Sequence, residues 1–478
     1  MGVYPSRELN LSDRQLQVIP SDIHKHSNVQ KLYMRRNNIR HVSPEITRLE
    51  KLTELSLREN RLKMFPVYIL NLRSLTKLSF SFNELTEIPS ELGSLRHLVL
   101  LTLAGNALTS LPEELGNLEK LVSLDIQRNH FTELPSCIAK MRNLTILSAQ
   151  KNQISHITCD TFAKLKKLIS LNLSYNLLNT LPETLSKLRE LEHLIISSNL
   201  FTSIPWPIFK LLRLINLDLH TNQIEFIPPD IGSLTLLKRL NLAINRLTIL
   251  PKEIGKLEVL EWLNLNDNRL VELPESMGNL KYLTKMGVVQ NRLTSLPHTF
   301  GQLRNLYKLD LRRNEINLFP FTVVQMSKLA NLLVADNPLC DKYGVYSPNG
   351  RIPKLSEFAA RMLLNDSRNK HLLQKHIQFL PNCLQELVTR TSKCDHCRIN
   401  LCRFWLDYVE LASVCEERVW IPIRYRMCSQ KCIDQRKSCG AISKYNMYRT
   451  DADGIPGEST LPLQRLIVME MRKALERF

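Results

Sequence analysis

The amino-acid sequence predicts an α/β solenoid: about fifteen turns of 23 residues, each a short strand with a return segment, stacked into a horseshoe. Three observations carry the prediction. Asparagine recurs at a fixed spacing, leucines keep a fixed phase around it, and a proline follows most of these asparagines six residues later.

The asparagines set the register. "LYMRRNNI", "LSLRENRL", "LSFSFNEL", "LTLAGNAL" and "LDIQRNHF" share the template LxxLxLxxNxL. The key residue falls at Asn37, Asn60, Asn83, Asn106, Asn129 and Asn152, each 23 residues from the next. After one 24-residue unit it resumes at Asn176 and continues through Asn199, Asn222, Asn245, Asn268, Asn291 and Asn314 to Asn337. Arg14, in "LNLSDRQL", holds the same phase in a degenerate first turn. Self-similarity at this period and with this template is the signature of a leucine-rich repeat.

Each element follows from the spacing. In Leu55-Ser56-Leu57 the leucines point inward from a short strand and Ser56 points outward, because strand side chains alternate. The asparagine amide can pair backbone groups that the turn leaves open, so stacked asparagines should form a buried ladder. Pro66, Pro89, Pro112, Pro182, Pro205 and Pro251 fix φ where the chain leaves the strand side. In the 24-residue unit "QISHITCDTFAKLKKLISLNLSYN" Thr158 takes the place of that proline, which predicts a local change in the return segment. No turn buries its leucines alone, so stability is nearly one-dimensional.

Charge and composition narrow the function. Lys plus Arg minus Asp plus Glu is 64 − 46 = +18, which favours anionic partners. No block of like charge or aromatic-studded basic stripe accompanies it, so a specific nucleic-acid partner is not expected. No apolar run is long enough for a membrane span, and "MGVYPSRELN" lacks the apolar core of a secretory signal. Gly2 and Ser6 loosely fit the N-myristoylation pattern. The expected location is the reducing cytoplasm or nucleus, where 11 cysteines stay out of disulfides.

No catalytic constellation is present: GxGxxG, Walker, GxSxG and HExxH motifs are all missing. "RTDADGIPGEST" places Arg449 and Thr460 where a calcium loop needs its first and twelfth ligands. The chain therefore reads as a non-enzyme. Binding should use the concave strand face, through residues six, four and two places before each asparagine. One cluster stands out there: Asn216, Asp218, His220, Arg239, Asn241, Trp262, Asn264 and Asn266, from three consecutive turns. An outward Trp among hydrogen-bonding side chains has the composition of a binding hot spot. Basic groups mark both ends of the array, Lys31, Arg35, Arg36 and Arg58 at one and Lys285, Lys308, Arg312 and Arg313 at the other.

The repeats fill 1–340, and "YSPNGRIP" reads as a linker over 341–352. From Pro353, "PKLSEFAARMLLND" has the apolar spacing of an amphipathic helix, and Pro381 opens a second one, together occupying 353–390. Both would also serve as a cap on the last repeat. The segment 391–440 carries Cys394-x2-Cys397 and Cys428-x3-Cys432, with "FWLDYVEL" and "VWIPIRYRM" between them as strands. Such pairs admit a structural zinc site, buried thiols or a redox couple. A redox pair would want a βαβ context, which is missing, whereas two pairs joined by a hairpin can converge on tetrahedral Zn²⁺. Cys402, Cys415 and Cys439 are alternative ligands. The remainder, 441–478, is a polar tail ending in an amphipathic helix, "TLPLQRLIVMEMRKALERF".

Two resemblances follow from these residues. The repeat "NxLxxLPxxIGxLxxL" resembles the Ras-group leucine-rich repeats of Ras-suppressor and Scribble-like scaffolds. That implies protein recognition, and one reading is an intracellular scaffold for small GTPases or phosphatases. The region 353–432 resembles the C-terminal part of leucine-rich repeat substrate receptors of cullin-RING ubiquitin ligases. In that family an elongin box precedes a cullin box and a cysteine cluster. Leu355, Phe358, Ala359 and Leu363 match the first, with Lys354 at its usually small position. Leu380, Pro381 and Leu384 match the second, and "MCSQKC" matches the cluster. The resemblance implies elongin B/C and a cullin as partners, and the chain as the adaptor that brings a captured protein to the ligase.

Overall fold

The computed structural model describes residues 7–339 apart from positions 321, 324, 325 and 327, and the backbone of strands within 344–427. Contacts divide the chain into two compact units, Met1–Asn268 and Arg269–Phe478, which are taken in turn.

The first unit is a parallel sheet of three-residue strands, one per turn. They are β1 (Glu8–Asn10), β2 (Lys31–Tyr33), β3 (Glu54–Ser56), β4 (Lys77–Ser79), β5 (Leu100–Thr102) and β6 (Ser123–Asp125). They continue as β7 (Ile146–Ser148), β8 (Ser170–Asn172), β9 (His193–Ile195), β10 (Asn216–Asp218), β11 (Arg239–Asn241) and β12 (Trp262–Asn264). Each pairs with the next in register, as in Leu194↔Leu217 and Leu217↔Leu240. The central leucine of every strand faces the core; Leu194, Leu217, Leu240 and Leu263 are fully buried. Phe80, Phe131, Phe162 and Phe201 fill the wider spaces and are fully buried too.

The return segments are single 3-10 turns rather than α-helices. Pro66, Pro89, Pro112, Pro182, Pro205 and Pro251 each stand at the N-cap of one, with φ from −59° to −77°. Proline supplies the required φ without a side-chain cap. The 24-residue unit departs from this as expected. It has no 3-10 helix between Lys140 and Ser170. Instead Thr158 Oγ1 meets Thr161 Oγ1 at 2.8 Å, Thr161 donates its N–H to Thr158 O, and Phe162 plugs the core.

The asparagine ladder is present throughout the described turns. Leu178 donates its N–H to Asn199 Oδ1 at 3.0 Å, while Asn199 Nδ2 donates to Leu173 O at 3.0 Å and to Ile196 O and Ser197 O at 3.1 Å. One amide thus ties its own turn to the preceding one. Twelve of the fourteen, from Asn37 to Asn314, are buried, and Asn152 and Asn337 are half-buried. The residue just before each asparagine has φ between 52° and 66° from Arg36 to Asp336, the left-handed region. Gly105 alone fills it with glycine.

The second unit holds three more parallel strands of the same kind, β13 (Lys285–Gly287), β14 (Lys308–Asp310) and β16 (Asn331–Leu333), with β14 pairing both others. A second sheet orders as β15-β21-β20-β17, from β15 (Phe319–Pro320), β17 (Gly344–Tyr346), β20 (Leu406–Val414) and β21 (Val419–Met427). β20 and β21 run antiparallel over all nine pairs, so both strands expected between the cysteine pairs are present. β21 pairs parallel with β15 through Phe319↔Ile423, joining that hairpin to the return segment of a repeat. β18 (Ser392–Lys393) and β19 (Asn400–Leu401) form a small antiparallel ladder. The expected helices in 353–390, the elongin- and cullin-box residues, all four candidate metal cysteines, Gly2 and the terminal helix lie outside the described residues.

Candidate functional site: the strand face of turns ten to twelve

The predicted cluster comes together on the strand face of the first unit. Register places Asn216 beside Arg239 and Arg239 beside Trp262, with Asp218, Asn241 and Asn264 in the next row. The core leucines between them force this outward orientation. Trp262 is half-buried and Arg239 exposed, and the Arg239 guanidinium has no partner among the described residues.

The structure separates residues that support the surface from residues that can meet a ligand. Asp218 Oδ1 accepts the His220 N–H at 3.1 Å, and Asn264 Oδ1 accepts that of Asn266 at 3.2 Å. Asn241 Oδ1 accepts from Ala243 N at 3.3 Å. These are turn-forming side-chain bonds that bend the chain as it leaves the strand. Asp125 and Asn172 do the same in earlier turns. Burial raises the Asp125 carboxyl above its ordinary pKa, against the lowering effect of its bonds from Gln127. His220 Nδ1 lies 2.7 Å from Asp218 Oδ1, both side chains about one quarter exposed, which orients the ring and leaves Nε2 without a partner among the described residues. Asn216, Arg239, Trp262 and His220 therefore form the reachable part, and Asp218, Asn241 and Asn264 hold it in place.

Two residues of this surface carry no signal in the sequence pattern. Thr221 and Ile244 occupy left-handed positions at φ 54° and 55°. Among the fifteen such non-glycine positions they alone are β-branched, and such side chains resist this conformation. Both stand beside the cluster, and Ile244 is 50% exposed. Strain of this kind concentrates where a surface is built for contact.

The basic groups at the ends read differently in three dimensions. Lys31 lies 3.9 Å from Glu8, Lys77 lies 3.6 Å from Glu54, and Arg36 and Arg58 pair with Asp13 and Glu59. Arg35 donates to Ser56 Oγ and stacks 4.8 Å over the Tyr33 ring, which covers Ser56 and leaves it 3% exposed. The Tyr33 hydroxyl is pushed up to about 12 by burial and by its bond to Glu54. In the second unit Arg312 grips Asp310 with two bonds, and Arg313 faces Asp336. Lys31, Arg36, Arg58, Arg312 and Arg313 are thus matched by acids, whereas Lys285 and Lys308 have no partner among the described residues.

No group of metal-ligating side chains occurs among the described residues, and no described helix is long and apolar enough to cross a membrane. Cys137 is fully buried, and burial pushes its thiol up to about 12, so it is an inert core residue.

Comparison with known proteins places this architecture. Models of a leucine-rich repeat region and of the leucine rich repeat match residues 84–197 and 213–270. A leucine-rich repeat protein of Leptospira interrogans is 32% identical, with a TM-score of 0.66 over 70% of this chain and 91% of its own. The chain belongs to the leucine-rich repeat family. The repeat protein is also similar to an internalin, InlF, of Listeria monocytogenes, at 25% identity and a TM-score of 0.58 over 66% of this chain and 88% of that one. The Drosophila Toll–Spatzle complex shares the fold at 22% identity, TM-score 0.60, over 72% of this chain and 47% of that one. None of the curated proteins matches the chain. Leucine-rich repeat proteins act as protein–protein interaction modules, and their fold is typically a non-enzymatic binding scaffold.

Proposed function

We propose that this leucine-rich repeat protein captures a protein ligand on the strand face around Trp262 and delivers it to a cullin-RING ubiquitin ligase. The observation that carries the capture half is the juxtaposition of half-buried Trp262 with unpaired Arg239 on a rigid, in-register strand face. Trp and Arg dominate binding hot spots, and a preformed surface loses little entropy on binding.

The delivery half rests on the resemblance of residues 353–432 to ligase receptors, with Leu355, Phe358, Ala359 and Leu363 as the elongin-docking stripe. An apolar helical stripe of that spacing suits a groove, and Leu380, Pro381 and Leu384 would meet the cullin. The test is co-precipitation of elongin B/C with the full chain and with Leu355→Ser/Ala359→Asp. Recovery by the wild type, and at least tenfold less by the variant, is the expected result. A folded wild type that recovers no elongin ends this reading and leaves a scaffold for small GTPases or phosphatases in its place.

Structural zinc belongs to the same proposal. Cys394 directly follows β18 in the sequence, and Cys397 lies three residues further on, before β19. Cys428 directly follows β21 and precedes Cys432 by four residues. Close cysteine pairs at strand ends fit a tetrahedral thiolate site, and such sites stabilise small modules. Metal analysis of protein prepared without chelator should give about one zinc per chain, lost in Cys397→Ser. Metal-free wild type would make these residues buried thiols.

A further inference from the structure

The second unit carries a cleft of about 680 Å³ on the return side of its turns. Lys281, Arg304 and His298 line it, with Gly278, Gly301 and Thr322. Neither the Lys281 ammonium nor the Arg304 guanidinium has a partner among the described residues.

Several cations elsewhere on the return side have a side-chain partner one turn away. One position there repeats a single pairing. Lys51 donates to Asn28, Lys167 to Asn143 and Lys328 to Asn305, each with the residue at the same phase of the preceding turn. Arg213 pairs with Glu190 and Lys120 with His97 in the same way. Lys281 and Arg304 lie one residue earlier in that phase, on successive turns, as do Arg73 with Arg96 and Arg142 with Lys166, and here the two line one cleft. Like charges on adjacent turns repel unless an anion lies between them.

The neighbouring groups add donors. Lys328 Nζ donates to Asn305 Oδ1 at 2.7 Å, which brings a third cation to the rim. Thr322 Oγ1 is buried beside the cleft and finds no hydrogen-bond partner among the described residues, a costly state for a hydroxyl. Gly301 sets the close approach: a Cβ there would lie 2.6 Å from Thr322 O and 2.8 Å from Thr322 Cβ. The Glu275 carboxylate, three residues before Gly278, is committed to the backbone N–H groups of His298 and Thr299 at 3.2 and 3.1 Å.

We infer that this cleft binds a phosphate group, held between Lys281 and Arg304 with the Thr322 hydroxyl turned toward it. A phosphate monoester carries roughly −1.5 to −2 charge near neutral pH and three acceptor oxygens. That charge matches two unpaired cations, and the guanidinium fork suits two of the oxygens. A monocarboxylate would leave one cation uncompensated. The phosphate is either free or esterified on a protein side chain.

The experiment titrates the full chain at constant ionic strength with inorganic phosphate, with a capped phosphoserine peptide, and with acetate as the control anion. Binding is read from ³¹P line width and the melting temperature. Saturable phosphate binding is expected, weakened at least tenfold in Lys281→Gln/Arg304→Gln and unchanged in Arg213→Gln. Thr322→Val should raise the melting temperature without ligand, by removing a buried unpaired hydroxyl, and weaken binding severalfold. Tighter binding of the peptide than of inorganic phosphate identifies a phosphorylated protein as the source, and equal binding identifies the free ion. Wild type without saturable binding, a double variant that binds as well as wild type, or acetate that competes as well as phosphate would each overturn the inference.

Discussion

Replacing Asn199 by alanine is expected to destabilise the first unit by about 1–3 kcal/mol, the cost of one buried amide left without a partner. The bond inventory decides which group suffers. Leu173 O keeps a bond from Asn176 Nδ2, Ile196 O keeps one from Asn222 Nδ2, and Ser197 O keeps one from Tyr175 N. Leu178 N–H loses Asn199 Oδ1, the acceptor that the ladder gives it. Asn199→Asp should cost more than alanine. It retains an acceptor for Leu178 but turns a carboxylate oxygen toward three carbonyl oxygens, and a charge in that setting is strongly disfavoured. Asn10→Ala is the comparison, since Asn10 accepts only an exposed bond from Ser12. Urea unfolding followed by circular dichroism measures all three. A loss at Asn199 no greater than at Asn10 would remove the ladder as a source of stability.

The ladder was legible because its physics is periodic. A side chain that bridges one turn to the last must recur at the repeat length, so spacing alone placed Asn37 to Asn337. The prolines were readable for the same reason, since each sets the φ of one return segment. Thr158 marked in advance the turn that lacks its 3-10 helix. The site was legible only in part. Asp218, Asn241 and Asn264 look like ligand-facing polar groups, yet their oxygens cap the backbone two residues ahead. A short Asp or Asn at that phase in Asp125 and Asn172 is the signal that could have separated the two roles.

The basic N-terminal group misled for a related reason. Lys31 stands in the same row as Glu8 one turn away, and Arg36 and Arg58 pair with Asp13 and Glu59, so nearby acids match these cations. Counting cations without those acids exaggerated the positive surface. Exposed pairs of this kind contribute little to stability but do cancel the local field. Ile244 and Thr221 were invisible because the left-handed position accepts many residue types across the array, and only geometry shows where a β-branched one is forced into it.

Trp262→Ala is expected to weaken capture of the strand-face ligand by at least 2 kcal/mol, about thirtyfold, with the melting temperature unchanged. The separation of effects follows from burial. Leu263, the next residue, is fully buried and holds β12 in the core, whereas Trp262 faces outward and is only half-buried. Removing the indole deletes a large, rigid apolar surface flanked by Arg239 and leaves the leucine spine intact. Arg239→Ala should weaken the same ligand and should not add fully to Trp262→Ala, because the two side chains form one patch. The delivery proposal gives this test a second arm. Proteins recovered with the full chain from cells should include a set lost in Trp262→Ala while elongin B/C recovery stays the same. Leu355→Ser/Ala359→Asp should do the reverse, losing elongin and keeping that set. If every protein recovered with the wild type is recovered equally with Trp262→Ala, capture does not run through this face. If Trp262→Ala also loses elongin, capture and delivery are not separate devices, and the adaptor reading fails with them.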